Sequence, residues 1–177
     1  AVLGGLTVLF MLPPQISIAH ACLGQTVFCL LVLLADSISN VYSSAQVAGR
    51  SIWRAGLLMA GLAYAQLILG AILRYTGHGL SYHVVGAIAV SVVICWTTYR
   101  VIVEHGQEVC LVRPAYLLML LWPVQFLLGL IALAGESRAM DHLFFWPMVV
   151  PTAHVACGAL ILGISVLWTF RARYVSS

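Results

Sequence analysis

Gln66–Ala87 reads QLILGAILRYTGHGLSYHVVGA, and its reading decides the fold. One apolar run ends in a short polar loop carrying Arg74, Tyr75, His78 and Tyr82. A second apolar run follows at once, with His83 already inside it. Both runs are continuous and do not alternate, which predicts a helical hairpin and argues against a membrane β-barrel. An ionisable side chain facing hydrocarbon is costly, so His83 marks a candidate functional site.

The rest of the chain repeats this pattern. Hydrophobic residues make up 63% of its 177 residues and charged ones 7%, against about 25% charged in soluble domains. Mean hydropathy is +1.06. The fold class is therefore all-α, a polytopic membrane helical bundle with five full transmembrane helices plus the end of a sixth. All positive charges are arginine, and the net charge of +3 reflects loop asymmetry and implies no nucleic-acid partner. Cys22, Cys29, Cys95, Cys110 and Cys157 form no C-x-x-C and no C-x-x-C-H. That argues against covalently attached haem and against a thiolate metal cluster. Four of them lie in apolar runs as small packing residues, and Cys110 is placed in a loop.

Residues 1–12 are apolar but fall short of the about 20 a spanning helix needs. They read as the end of a helix stopped by Pro13-Pro14, in a chain that continues upstream. Full helices are expected at 16–35, 52–73, 80–103, 115–134 and 148–170. The longest polar stretch, 36–51, divides a remnant of an N-terminal four-helix bundle (1–35) from a C-terminal four-helix bundle (52–177). Phe144, Phe145 and Trp146 suit an interfacial belt. Arg50, Arg54, Arg100, Arg113, Arg171 and Arg173 alternate in sidedness with Arg74 and Arg138. The positive-inside rule then puts the linker, the 104–114 connection and the C-terminus in the cytoplasm or a mitochondrial matrix.

With that orientation His20, His83 and His154 fall at one depth, within roughly 10 Å of the outer helix ends. His78 and His142 lie in outer loops and read as solvated, and His105 lies on the inner side. Gln66-Leu-Ile-Leu-Gly70 is echoed by Gln125-Phe-Leu-Leu-Gly129, and Leu3-Gly4 precedes His20 as the same unit cut short. Three hairpins thus each end in one histidine, a repeat of the kind that builds cofactor sites between facing helices. Gln66 and Gln125 read as buried polar groups satisfied by a neighbouring helix, and Gln25 has no assigned role.

Gly24, Gly86 and Gly158 trail the three histidines by three or four residues and share their faces. Small residues there leave a flat recess beside an imidazole, the shape that a macrocycle ligated from both sides requires. They also permit close helix packing without any ligand. Zinc would want four ligands with thiolates or carboxylates, and a proton relay an intramembrane carboxylate. The membrane-embedded portion has no Asp or Glu near these histidines. A transporter built from repeats would want discontinuous helices and midplane polar sites. Arg74 lies at the right level to pair with a haem propionate.

GGLTVLFMLPP, AHACLGQ, QLILGAILRYTGHG and PTAHVACGALILG, in this order, resemble the heme A synthase family of bacterial and mitochondrial inner membranes. The resemblance covers almost the whole chain. It implies a multi-pass oxidoreductase, built as two similar four-helix bundles, that oxidises the C8 methyl of heme O to the formyl group of heme A with water-derived oxygen. By this similarity His83 and His154 correspond to the ligands of a resident heme b. His20 corresponds to a catalytic histidine of the bundle that handles the heme O substrate. That bundle's second histidine and its glutamate would precede Ala1, so the chain by itself is expected to be inactive. The loop 75–82 has no cysteine, unlike that of some family members. Implied partners are membrane lipid, heme O synthase, terminal-oxidase assembly factors and a second copy in a homo-oligomer. The same three histidines would also serve a b-type cytochrome without substrate chemistry.

Overall fold

The computed structural model describes residues 2–39, 50–137 and 146–175. They form six helices, α1 (Val2–Leu9), α2 (Pro14–Ser37), α3 (Arg50–Thr76), α4 (Leu80–Glu104), α5 (Val109–Ser137) and α6 (Trp146–Val175). No strand occurs among them. All but α1 are long and apolar enough to cross a membrane, so this is a multi-pass helical membrane protein. Helices α2, α3, α5 and α6 extend past both expected ends, α4 gains Glu104 alone, and α1 is shorter than the expected 1–12. Residues 36–37 and 50–51 of the expected linker are helical, whereas 40–49 lie outside the described residues. So do Arg138, His142, Phe144 and Phe145.

Local chemistry sets the helix ends. Pro13 in an extended conformation caps α2, with Pro14 as its first residue, where the missing N–H costs nothing. The α3–α4 turn has Gly77 at φ 71° and Gly79 at φ 92°, conformations that side-chain-bearing residues rarely adopt. His83 N–H donates to Gly79 O at 3.0 Å, the first hydrogen bond of α4. The Gly-His-Gly turn therefore fixes where His83 enters the bundle.

Helix α5 begins six residues before the expected 115, and Cys110 is buried within it rather than placed in a loop. Helix α5 runs through Pro114. Proline inside a helix orphans the carbonyl four residues earlier, which here belongs to Cys110. The Arg171 guanidinium donates to that carbonyl at 3.2 Å. A tertiary donor thus replaces the missing backbone one, which is how membrane helices tolerate proline.

Helices α3, α4, α5 and α6 close a ring in that order, each packed on its two neighbours, with α4 and α6 at opposite corners. Helix α2 lies against α3 and α6, and α1 against α2. The densest packing fills one half of the ring, where Ile52, Met59, Ile94, Leu111, Leu118 and Trp168 are all less than 2% exposed. Gly56 makes this possible, since a Cβ built on it would lie 2.6 Å from the Trp168 ring. At the same end the Arg171 guanidinium meets buried Asp36 at 2.7 Å, tying α2 to α6. Large side chains such as Leu30, Leu34, Val85, Val92, Leu120 and Leu127 face outward, as suits a surface solvated by lipid.

Candidate functional site

The half of the ring away from Trp168 holds the histidines. His83 on α4 and His154 on α6 face one another across the bundle axis, ring centres 6.3 Å apart and planes at 71°. Both rings are half-buried. Two imidazoles that ligate one metal from opposite sides, through bonds of about 2 Å, hold their centres about 6 Å apart. The separation matches that arrangement.

The other two corners of the ring complete the site as a near two-fold. A Cβ built on Gly70 of α3 would lie 3.0 Å from His83 Cε1, and one on Gly129 of α5 would lie 3.0 Å from His154 Cε1. Each imidazole thus rests against bare backbone. Gln66, one turn before Gly70, donates its amide N–H to the His83 carbonyl at 2.8 Å and approaches His83 Nδ1 at 3.1 Å. Gln125, one turn before Gly129, sits 3.3 Å from His154 Nε2, and its backbone carbonyl is 3.1 Å from His154 Nδ1. The neighbouring helix does satisfy both glutamine amide nitrogens. Gln66 Oε1 and Gln125 Oε1, however, are buried with no hydrogen-bond partner.

The glycines expected to leave a recess beside each histidine do something else. A Cβ on Gly86 would run into Gln66 Oε1, and one on Gly158 would lie 3.1 Å from Gln125 Nε2. They make room for the glutamines, and the imidazole recess comes from the glycines of the preceding helix. The Gln-x-x-x-Gly repeat carried this signal. Its Gly contacts the ring and its Gln contacts the ring nitrogen, one turn apart on one face.

His20 on α2 meets α1 in the same way, with a Cβ on Gly4 lying 3.2 Å from its Cε1. Gly24, the counterpart of Gly86 and Gly158, has nothing within 4 Å. His20 is exposed. Among the described residues no three His, Cys, Asp or Glu side chains come together as a metal site. Arg74 is exposed in the last turn of α3, four residues after Gly70 and so about 6 Å further along the helix. His78 is exposed in the α3–α4 turn, and His105 caps the opposite end of α4.

Among the described residues the two imidazoles offer one facing pair of candidate ligands and no closed metal cage. Gly70 and Gly129 leave each imidazole against bare backbone, while Gly86 and Gly158 admit the glutamine side chains beside the ring nitrogens. The comparisons find no match for this chain among protein-family models, curated proteins or solved structures.

Proposed function

We propose that this chain belongs to an inner-membrane heme A synthase, with His83 and His154 as the axial ligands of a resident heme b. The observation that carries the reading is the pair of imidazoles facing across the bundle axis with centres 6.3 Å apart. A six-coordinate bis-histidine iron leaves no position for oxygen, so the group would supply electron transfer. Arg74, a turn beyond Gly70, is the candidate partner for a propionate, since its fork matches a carboxylate bidentately.

His20 on α2, in the recess beside Gly4 of α1, would bind the heme O substrate and take part in oxidising its C8 methyl to a formyl group, with oxygen from water and the released electrons relayed through heme b to an external acceptor. This second recess favours the enzyme over a b-type cytochrome, which needs one histidine pair only. The arginine distribution supports a cytoplasmic or matrix C-terminus in a bacterial or mitochondrial inner membrane. Partners consistent with this role are heme O synthase, terminal-oxidase assembly factors and a second copy of the chain.

The test is optical. The haem-loaded protein is expected to show a low-spin bis-imidazole spectrum that His83→Ala and His154→Ala each abolish and His78→Ala preserves. An unchanged spectrum in either of the first two variants would overturn the ligand assignment. In membranes carrying the full-length protein, His20→Ala is expected to stop heme O conversion and leave heme b bound.

A further inference from the structure

The two halves of the histidine site are alike in residues but opposite in hydrogen-bond polarity. A backbone carbonyl only accepts, so the 3.1 Å contact between Gln125 O and His154 Nδ1 requires a proton on Nδ1. His154 Nε2 is then an acceptor, and the Gln125 amide N–H at 3.3 Å supplies its donor. At His83 the Gln66 amide nitrogen, which only donates, lies 3.1 Å from Nδ1 and 3.5 Å from Nε2. The shorter contact makes His83 Nδ1 the acceptor, which puts the proton on Nε2.

The orientation of the Gln66 amide is chemically determined. The same nitrogen donates to the His83 carbonyl at 2.8 Å, and turning the amide over would set two oxygens against each other at that distance. Gly86 leaves the space that Gln66 Oε1 occupies, and that oxygen has no hydrogen-bond partner. A buried acceptor without a donor is costly. Here it sits on the same amide that blocks Nδ1.

We propose that Gln66 is a positioning residue that holds metal-free His83 in the Nε2–H tautomer, while the Gln125 carbonyl holds His154 ready as Nδ1–H. His154 Nε2 can ligate after the Gln125 side chain withdraws. His83 can ligate through Nε2 only after its proton moves to Nδ1, and Gln66 must then present its unused Oε1 to that proton. One imidazole is thus preset and the other gated, and loading runs from His154 to His83. The tautomers are a property of the metal-free chain. Only the loading order rests on the haem reading.

The experiment is nitrogen-15 NMR of the full chain in detergent with labelled histidine, metal-free and after addition of haem, in Gln66→Leu, Gln66→Glu and Gln125→Leu. Metal-free wild type is expected to show His83 as Nε2–H and His154 as Nδ1–H. Gln66→Leu should mix the His83 tautomers and leave His154 unchanged. Gln66→Glu should convert His83 to Nδ1–H, because a carboxylate accepts that proton. Gln66→Glu, which frees His83 from the unproductive tautomer and accepts the Nδ1 proton, should tighten haem capture by roughly five-fold, a gain that Gln125→Leu does not share. The same tautomer at both histidines in wild type, or an unmoved His83 in both Gln66 variants, would overturn the proposal. If the tautomers are as stated but haem never binds, the haem reading fails and the assignment of Gln66 stands.

Discussion

At one end of the α3–α6 ring Gly56 faces the indole of Trp168, and at the other Gly70 and Gly129 face the imidazoles of His83 and His154. The device is the same, a bare backbone on one helix receiving a flat ring from the next. The surroundings differ. Trp168 is 1% exposed and the built Cβ distance is 2.6 Å, with Thr169 Oγ1 at 2.8 Å behind it. The imidazoles are only half-buried, at 3.0 Å, beside acceptors without donors. One end has spent its close approach on packing. The other has kept rings and polar atoms in reserve, and a site needs both.

The packed end should break first and hardest at its ion pair. Asp36 and Arg171 leave 3% and 15% of their side chains exposed, and Arg171 also covers the carbonyl orphaned by Pro114. Asp36→Leu would leave a buried guanidinium without its carboxylate, a loss of about 3 to 5 kcal/mol. Denaturant titration in detergent micelles measures it. The double variant Asp36→Leu with Arg171→Met should recover part of the loss, since an apolar pair avoids the unpaired charge. No recovery would mean that the Cys110 carbonyl, and not the charge, dominates.

Gly56→Ala comes next. The added methyl must displace an indole that has no free side, at a cost of about 1 to 3 kcal/mol. The gain in helix propensity, about 0.5 to 1 kcal/mol, offsets only part of it. Thermal melting should fall, whereas the occupancy of the histidine site at low temperature should not change. A haem spectrum that weakens in step with the melting point would show that the two ends are not separable.

The sequence made one end far more legible than the other. Continuous apolar runs announce the helices, and the Gln-x-x-x-Gly repeat with a histidine in each following helix announces the site. Those signals are local and periodic, and hydrocarbon makes every polar residue conspicuous. Which glycine serves which side chain was not legible. Gly70 and His83 are brought together by a helix crossing, and nothing in the spacing of 83 and 86 reveals that Gln66 fills the gap. The Asp36–Arg171 pair was hidden for a similar reason. Its partners are 135 positions apart, and each taken alone resembles an ordinary flanking charge at a helix end. Pro114 can sit inside α5 because the donor that makes it tolerable comes from another helix.

The smallest effect on stability should be the most informative about the site. Gly70→Ala or Gly129→Ala places a methyl 3.0 Å from an imidazole Cε1, so the ring must retreat by a few tenths of an ångström. These rings have space that Trp168 lacks, and the helix gains propensity from alanine. The two contributions nearly cancel, and the unfolding free energy should stay within about 1 kcal/mol of wild type. The displaced ring, however, no longer stands opposite its partner at the native distance, and haem affinity should fall roughly ten-fold in either variant. Parallel loss in the two variants is the outcome that the near two-fold demands, because each glycine supports one of a facing pair. If Gly70→Ala loosens haem while Gly129→Ala leaves it untouched, the halves are not equivalent supports. The shared 6.3 Å site would then have to be redrawn around His83 alone.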